Sequence, residues 1–157
     1  MQLSMSLLGF ERLHRAFERA PEFVGRELTA WITAQGLHLT GEIQKRTPKK
    51  SGILQKSIIP HVEHVGRLGV SNTISSPLNY ALPVETGSKP HDILPKNGKA
   101  LHFMMRGIPV FAKKVHHPGS KGAFMFKKSF EANIAQIQDD FYRFVDHVIA
   151  KVASGAV

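Results

Sequence analysis

The chain of 157 residues contains no cysteine. A disulfide framework, a thiolate nucleophile and a cysteine-ligated zinc site are therefore excluded. No apolar run approaches the roughly 20 residues that a membrane-spanning helix needs. The first residues, Met1 to Leu8, lack the basic segment and the long apolar stretch of a signal peptide. We therefore expect a protein that stays in the cytoplasm of its host and has no membrane partner.

Motifs that carry catalysis or hold cofactors are also missing. The sequence has no Gly-x-Ser-x-Gly elbow, no Gly-x-x-x-x-Gly-Lys phosphate loop and no pair of histidines four residues apart beside a carboxylate. His61 and His64 are three apart in a predicted strand, where such residues point to opposite faces. Glu63, Glu85 and Asp92 are the only acids between residues 43 and 128, too few for a multi-carboxylate site. We expect no enzyme, no metal and no cofactor; a metal site assembled from loops and a nuclease remain open alternatives.

Acidic residues are scarce in the middle of the chain, although the net charge of the whole is +9. Residues 1–42 carry five acids and four bases, residues 43–128 carry three acids and fifteen bases, and residues 129–157 carry four acids and two bases. A basic middle, with a net charge of +12, predicts a surface that meets nucleic acid or an acidic protein face. Solubilising charge on the outer face of a sheet is an equally open interpretation.

Hydrophobic periodicity predicts helices at both ends and strands between them. Residues 21–46 and 127–152 carry apolar side chains at helical spacing, and residues 1–20 are an N-terminal extension or a short helix. Residues 47–126 form a β region with loops at residues 75–77, 86–99 and 116–122. The predicted strands are Ile53–Ile59, Val62–Val65, Arg67–Ser71, Ala100–Met104 and Val110–Lys114.

This order of elements predicts a single domain over residues 1–157. The expected class is α+β: an antiparallel sheet of about four to five strands, with a long N-terminal helix and a C-terminal helix packed mainly on one face.

Three short blocks stand out in the β region. The first is Thr47-Pro48-Lys49-Lys50-Ser51-Gly52-Ile53-Leu54-Gln55-Lys56-Ser57-Ile58, the second Tyr80-Ala81-Leu82-Pro83-Val84-Glu85-Thr86-Gly87-Ser88, and the third His117-Pro118-Gly119-Ser120-Lys121-Gly122-Ala123-Phe124-Met125-Phe126. Pro48 and Gly52 predict a helix stop and a turn. We interpret Glu85 as a capping or hydrogen-bonding carboxylate, and residues 117–119 as a rigid turn that aims Phe124 and Phe126 into the core.

Jointly and in this order, the blocks resemble the neck and tail-completion proteins of tailed bacteriophages, the gp-ten-like tail components of lambdoid phages. The resemblance covers about residues 47–130. It implies a virion structural protein at the head–tail junction, a neck, tail-completion or tail-terminator component. The protein is expected to form a ring, a hexamer, between a head-closure or connector protein and the tail tube protein. It also implies transient passage of DNA through the ring. The motif residues that carry the resemblance are Pro48, Ser51, Gly52, Leu54, Ser57, Tyr80, Glu85, Gly87, His117, Pro118, Gly119 and Phe124.

The surfaces that would meet a neighbouring subunit or DNA are predicted from charge and loop position. The long loop at residues 86–99 and unpaired sheet edges are candidates for contact between subunits. A non-specific nucleic-acid-binding module is the alternative function, because basic clusters suit phosphates. The candidate interface or DNA-facing residues are Lys49, Lys50, Lys56, Ser88, Lys89, Lys113 and Lys114.

Overall fold

The computed structural model describes residues 10–65, 69–96 and 98–156. Residues 1–9 of the predicted extension, the start of the predicted strand at Arg67 and residue Asn97 lie outside them. The described chain is mixed α/β, and its elements, numbered in chain order, are α1 (Phe10–Arg46), α2 (Ile53–Ser57), β1 (Ile59–Val65), β2 (Gly69–Ser75), α3 (Ala81–Thr86), β3 (Gly87–Ser88), β4 (His91–Ile93), β5 (Leu101–Met105), β6 (Ile108–Ala112), β7 (Val115–His117), β8 (Ser120–Lys121) and α4 (Met125–Ala153).

The chain divides into two compact units. The first comprises Met1–Pro77 and Phe126–Val157, and the second Leu78–Met125. The prediction of one domain over residues 1–157 stays a prediction.

Two long helices frame the first unit, and both were predicted. The helix expected from residue 21 begins at Phe10, so Pro21 lies inside α1 and not in its first turn. This position removes one backbone hydrogen bond of the helix, a cost that the apolar face of a long helix offsets. The helix expected over residues 127–152 runs from Met125 to Ala153.

Aromatic packing joins these two helices. The Trp31 ring lies 5.3 Å from the ring of Phe141 and 5.6 Å from that of Phe144. Lys151 on α4 places its ammonium 5.9 Å from the centre of the Phe23 ring on α1, within reach of a cation–π attraction. The two helices therefore share a core within the first unit.

The hairpin of β1 and β2 packs on α1 at a glycine. A Cβ atom at Gly36 would lie 1.8 Å from Nδ2 of Asn72, and that Nδ2 donates a hydrogen bond to the carbonyl of Ile32 at 3.0 Å. A side chain at position 36 would have to displace the Asn72 side-chain amide from this position beside the helix. Gly36 thus weakens the helix locally and permits its packing.

The predicted strand Ile53–Ile59 is wrong, because residues 53–57 form the short helix α2. Leu54 and Ile58, four residues apart, are 7% and 0% exposed, whereas Ile53 and Ile59 are 57% and 54% exposed. That spacing is helical, but five residues are too few for periodicity to distinguish a helix from a strand.

The predicted sheet of four to five strands is also wrong for the described residues. Their strands form four separate antiparallel pairs: β1–β2, β3–β8, β4–β7 and β5–β6. The segments predicted as loops at residues 86–99 and 116–122 contain β3, β4 and β8 and most of β7, and they pair with each other. Strands of two or three residues are too short for the alternating pattern from which strands were predicted.

Candidate interaction surface

The first motif block ends α1 and fixes α2 against it. Gln55 donates from Nε2 to the carbonyl of Gln44 at 3.0 Å, and Gln44 donates from Nε2 to the carbonyl of Ile58 at 3.0 Å. Thr47 is 3% exposed, and its hydroxyl donates to the carbonyl of Ile43 at 2.8 Å. These side chains satisfy backbone groups that the end of a helix leaves open.

The motif residues that follow Thr47 have structural roles or are exposed. Gly52 has a φ of 77°, a conformation that favours glycine, directly before α2. Ser57 donates to the carbonyl of Leu54 at 2.7 Å, and its hydroxyl lies 2.7 Å from that of Ser76. Pro48 and Ser51 are exposed.

The second and third motif blocks meet in the second unit. Gly87 lies opposite Lys121 and Ser88 opposite Ser120 in the β3–β8 pair. The Ser88 and Ser120 hydroxyl oxygens are 3.1 Å apart. Beyond the strands, the amide of Ala123 donates to the carbonyl of Val84 at 2.8 Å, and the amide of Phe124 donates to the carbonyl of Glu85 at 3.0 Å. The sequence did not indicate that these two blocks pair.

Glycines make this close backbone approach possible. A Cβ atom at Gly87 would lie 2.4 Å from the carbonyl oxygen of Ser120, and one at Gly119 would lie 2.4 Å from that of Ser88. Both glycines have positive φ, 83° and 85°. The glycines of the two blocks are therefore required by the fold of the second unit.

The expected burial of the aromatic residues at the end of the third block needs correction. Phe124 is 37% exposed, Phe126 is half-buried, and Met125 between them is fully buried. Phe124 has a φ of 53°, which is uncommon for an aromatic residue. The turn at residues 117–119 thus precedes a buried methionine that the sequence analysis missed. Tyr80 is 42% exposed.

Histidines and one carboxylate line the β4–β7 pair. The rings of His91 and His117 stack with their centres 5.0 Å apart, and Nδ1 of His117 accepts a hydrogen bond from the amide of Gly119 at 3.0 Å. Asp92 lies 2.8 Å from the Lys114 ammonium and 2.9 Å from Nδ1 of His116. The hydrogen bond from Lys114, followed by that from His116, lowers the pKa of the Asp92 carboxyl below its ordinary value.

The predicted basic residues are divided between the two units of the chain. Lys49, Lys50 and Lys56 are exposed around the end of α1 in the first unit, and no ion pair joins them to a described acid. In the second unit, Lys114 pairs with Asp92. Ser88 is half-buried in β3, whereas Lys89 and Lys113 are exposed.

The most prominent exposed surface was missed by the sequence analysis as a candidate site. The β5–β6 hairpin leaves Met104, Met105, Ile108 and Phe111 exposed by 61%, 53%, 66% and 71%. The sequence does contain a signal for this surface. Neither strand alternates apolar with polar residues, as a strand with one solvent-exposed face does. Met105 and Ile108 are on one face of the hairpin, and Met104 and Phe111 are on the other. Exposed apolar surface of this kind marks interaction sites in proteins.

An open groove of about 900 Å³ lies between α1 and the β1–β2 hairpin, beside His64 and Val70. Two hydroxyls of its lining bond to the helix itself: the hydroxyl of Thr29 donates to the carbonyl of Gly25, and that of Thr33 to the carbonyl of Thr29, both at 2.7 Å. These hydroxyls therefore serve the α1 backbone and do not converge on a ligand.

Metal-ligating side chains do not cluster in the described residues: no three His, Asp or Glu side chains there are placed to hold a metal ion. Likewise, none of the described helices is long and apolar enough to cross a membrane.

No protein-family model, no curated protein and no solved structure matches the chain.

Proposed function

We propose that this chain is a virion structural protein of a tailed bacteriophage, a ring-forming neck or tail-completion subunit at the head–tail junction. Its neighbours are further copies of itself, a head-closure or connector protein and the tail tube protein, and DNA passes through the ring. The resemblance of the three motif blocks supports the proposal.

The observation that carries the proposal is the incomplete burial of the second unit. Its strands stand as two-stranded pairs, which are marginally stable by themselves in water. The hairpin of β5 and β6 also exposes large apolar side chains, led by Ile108 and Phe111. Such a surface is expected of a subunit whose apolar area is covered by neighbouring chains in an assembly.

The arrangement of the motif residues also favours a structural role over catalysis. The second and third blocks hold each other through backbone hydrogen bonds and close glycine contacts. The first block caps α1 and anchors α2. These residues use their chemistry to shape the chain, which suits a scaffold.

The experiment is to measure the mass of the purified protein across a concentration series and to image each species by negative stain. The proposal predicts rings with a central hole, whose mass gives the copy number, with six copies expected. A protein that stays below ring size at every concentration, also in the presence of purified phage tails, would contradict it.

A second candidate is a non-specific nucleic-acid-binding module, favoured by the exposed Lys49, Lys50 and Lys56. Neutralising all three to glutamine is expected to reduce the slope of log affinity against log salt for duplex DNA by about 2.7, because each phosphate contact contributes about 0.9. Lys45→Gln is the matched control, since the Lys45 ammonium already pairs with Glu42 at 2.7 Å. Equal slopes for the triple variant and the unaltered protein would exclude these lysines as a DNA surface.

A further inference from the structure

The β5–β6 hairpin has a tight two-residue turn. Arg106 and Gly107 connect the strands, and both have positive φ, 53° and 83°, as a type I′ turn requires. Met105 and Ile108 lie opposite each other beside the turn, followed by the pairs Met104–Pro109, Phe103–Val110, His102–Phe111 and Leu101–Ala112. The register fixes which side chains share a face.

Both faces of this hairpin are apolar. One face carries Leu101, Phe103 and Met105 with their partners Ala112, Val110 and Ile108, and the other carries Met104 and Pro109 beside His102 stacked on Phe111 at 4.7 Å. Strands that are apolar on both faces are typical of sheet interiors, where neighbouring strands and layers cover them. Here the side chains near the turn are exposed.

The two outer edges of the hairpin differ. Residues that flank a two-residue turn exchange hydrogen bonds, so in this register Pro109 occupies a non-hydrogen-bonded position. The outer edge of β6 therefore lacks an amide donor at Pro109, and a proline at a sheet edge disfavours pairing with a further strand.

The outer edge of β5 carries no such protection. Its outward backbone groups are those of His102 and Met104, and β5 contains no proline and no Lys, Arg, Asp or Glu. Within the described residues, β6 is the only strand that pairs with β5. An uncharged, apolar edge of this kind is a template for another strand.

We propose that two copies of this protein join through the β5 edges, antiparallel and centred on Phe103, in a four-stranded sheet ordered β6–β5–β5–β6 across the pair. A second copy fits because the outward groups of His102 pair with those of Met104 in the other copy, and the reverse, so that the edge is its own complement. This pairing covers the outer edge of β5, the edge of the hairpin that carries no proline.

This register places apolar side chains beside one another. Phe103 lies opposite Phe103 of the second copy in a non-hydrogen-bonded pair, where Cβ atoms approach to about 4.5–5.5 Å. Leu101 lies opposite Met105 on the same face. The Leu101–Met105 contact occurs twice by two-fold symmetry, whereas the Phe103 pair lies on the axis.

The charges around the contact predict an unusual salt dependence. Lys99 and Arg106 flank β5, and residues 93–123 contain no acid. The antiparallel register brings Arg106 of one copy near Lys99 of the other, so these like charges repel. Added salt screens that repulsion and tightens the pair, whereas salt weakens binding to nucleic acid.

The inference goes beyond the proposed ring, because a two-fold contact is distinct from the head-to-tail contacts that close a ring. It describes the protein before assembly, and its failure leaves the proposed function untouched. Conversely, a two-fold pair would persist in a protein that never forms rings.

Cysteine cross-linking tests the register directly, because the chain has no cysteine of its own. Under mild oxidation at micromolar concentration, Phe103→Cys is expected to give a disulfide-linked dimer. Phe111→Cys is the matched control: it lies on the same hairpin and is more exposed, 71% against 36%, but it is far from its copy in the proposed sheet. Leu101→Cys mixed with Met105→Cys should cross-link as a pair, and each alone should remain monomeric on a non-reducing gel.

A second variant tests the edge without cysteine chemistry. Met104→Pro removes an outward amide and leaves the β5–β6 hydrogen bonds intact, so it should raise the dissociation constant of the dimer about tenfold or more while circular dichroism stays unchanged. Cross-linking of Phe111→Cys as readily as Phe103→Cys, or a Met104→Pro protein that dimerises as tightly as the unaltered one, would overturn the proposal.

Discussion

Ile58 and Ile59 are neighbours in the chain with opposite environments. Ile58 is fully buried after α2, and Ile59 is 54% exposed at the start of β1. Replacing each with alanine removes the same three carbon atoms, so the pair isolates the effect of burial. The backbone of residue 58, which accepts from Gln44 and donates to Gln55, is unchanged by the substitution.

The expected loss follows from the carbon atoms removed and the cavity they leave. Three buried carbons at about 0.8 kcal/mol each contribute about 2.4 kcal/mol, and the cavity adds to that loss. Ile58→Ala should therefore lower the free energy of unfolding by about 3 kcal/mol. This value is within the range of about 2–5 kcal/mol for such changes. Ile59→Ala should cost less than about 1 kcal/mol, because most of its side chain already meets water.

Urea unfolding followed by tryptophan fluorescence measures both variants. Trp31 is the only tryptophan, and its ring contacts with Phe141 and Phe144 make its emission sensitive to the folding of the first unit. Ile58 also belongs to that unit. The midpoint should shift with little change in slope. Equal losses for the two variants, or a loss below about 1 kcal/mol for Ile58→Ala, would refute the packing of α2 described above.

Two further predictions concern the second unit and α1. Lys114→Gln should raise the pKa of the Asp92 carboxyl, seen by a carbon NMR titration, because the largest cause of the lowered pKa is the hydrogen bond from Lys114. Lys113→Gln should leave that pKa unchanged, since Lys113 forms no ion pair with the Asp92 carboxylate. A carboxyl whose pKa is lowered in the folded state contributes stability above its unfolded pKa, and this stability is lost as pH falls through the folded pKa. Lys114→Gln should therefore flatten the pH dependence of stability below pH 3.8, the ordinary pKa of the Asp92 carboxyl. An unchanged titration would contradict the ion pair. Gly87→Ala should destabilise the protein by more than about 1 kcal/mol, because its Cβ would lie 2.4 Å from the carbonyl oxygen of Ser120. Gly25→Ala, at a position in α1 with open space around it, should instead stabilise the protein by about 0.5–1 kcal/mol. Thermal unfolding measures both variants, and the reverse order would refute the close β3–β8 approach.

Long elements could be predicted from the sequence because their signal repeats over many residues. Both helices were found, since apolar residues recur along α1 and α4 through several turns. The hairpin strands β5 and β6 were found within two residues of their observed bounds. The role of Gly52 as a turn residue also followed from local chemistry alone.

The candidate site could be predicted only as isolated residues. The motif glycines were identified, but their chain partners were not, because Gly87 and Gly119 touch backbone atoms more than thirty residues away, beyond the reach of local periodicity. The exposed apolar hairpin was likewise missed, because an apolar run such as Leu101–Met105 is typical of a buried strand. Only the tertiary structure shows that no described residue of the second unit covers the tip of the hairpin.

The sequence by itself determined the two long helices, the absence of disulfides and the basic middle, because these depend on residue identity and short-range spacing. The tertiary structure decided which strands pair, that residues 53–57 form a helix, and that Met125 is buried in place of Phe124. These outcomes depend on contacts between residues distant in the chain, and their energies do not appear in any local pattern.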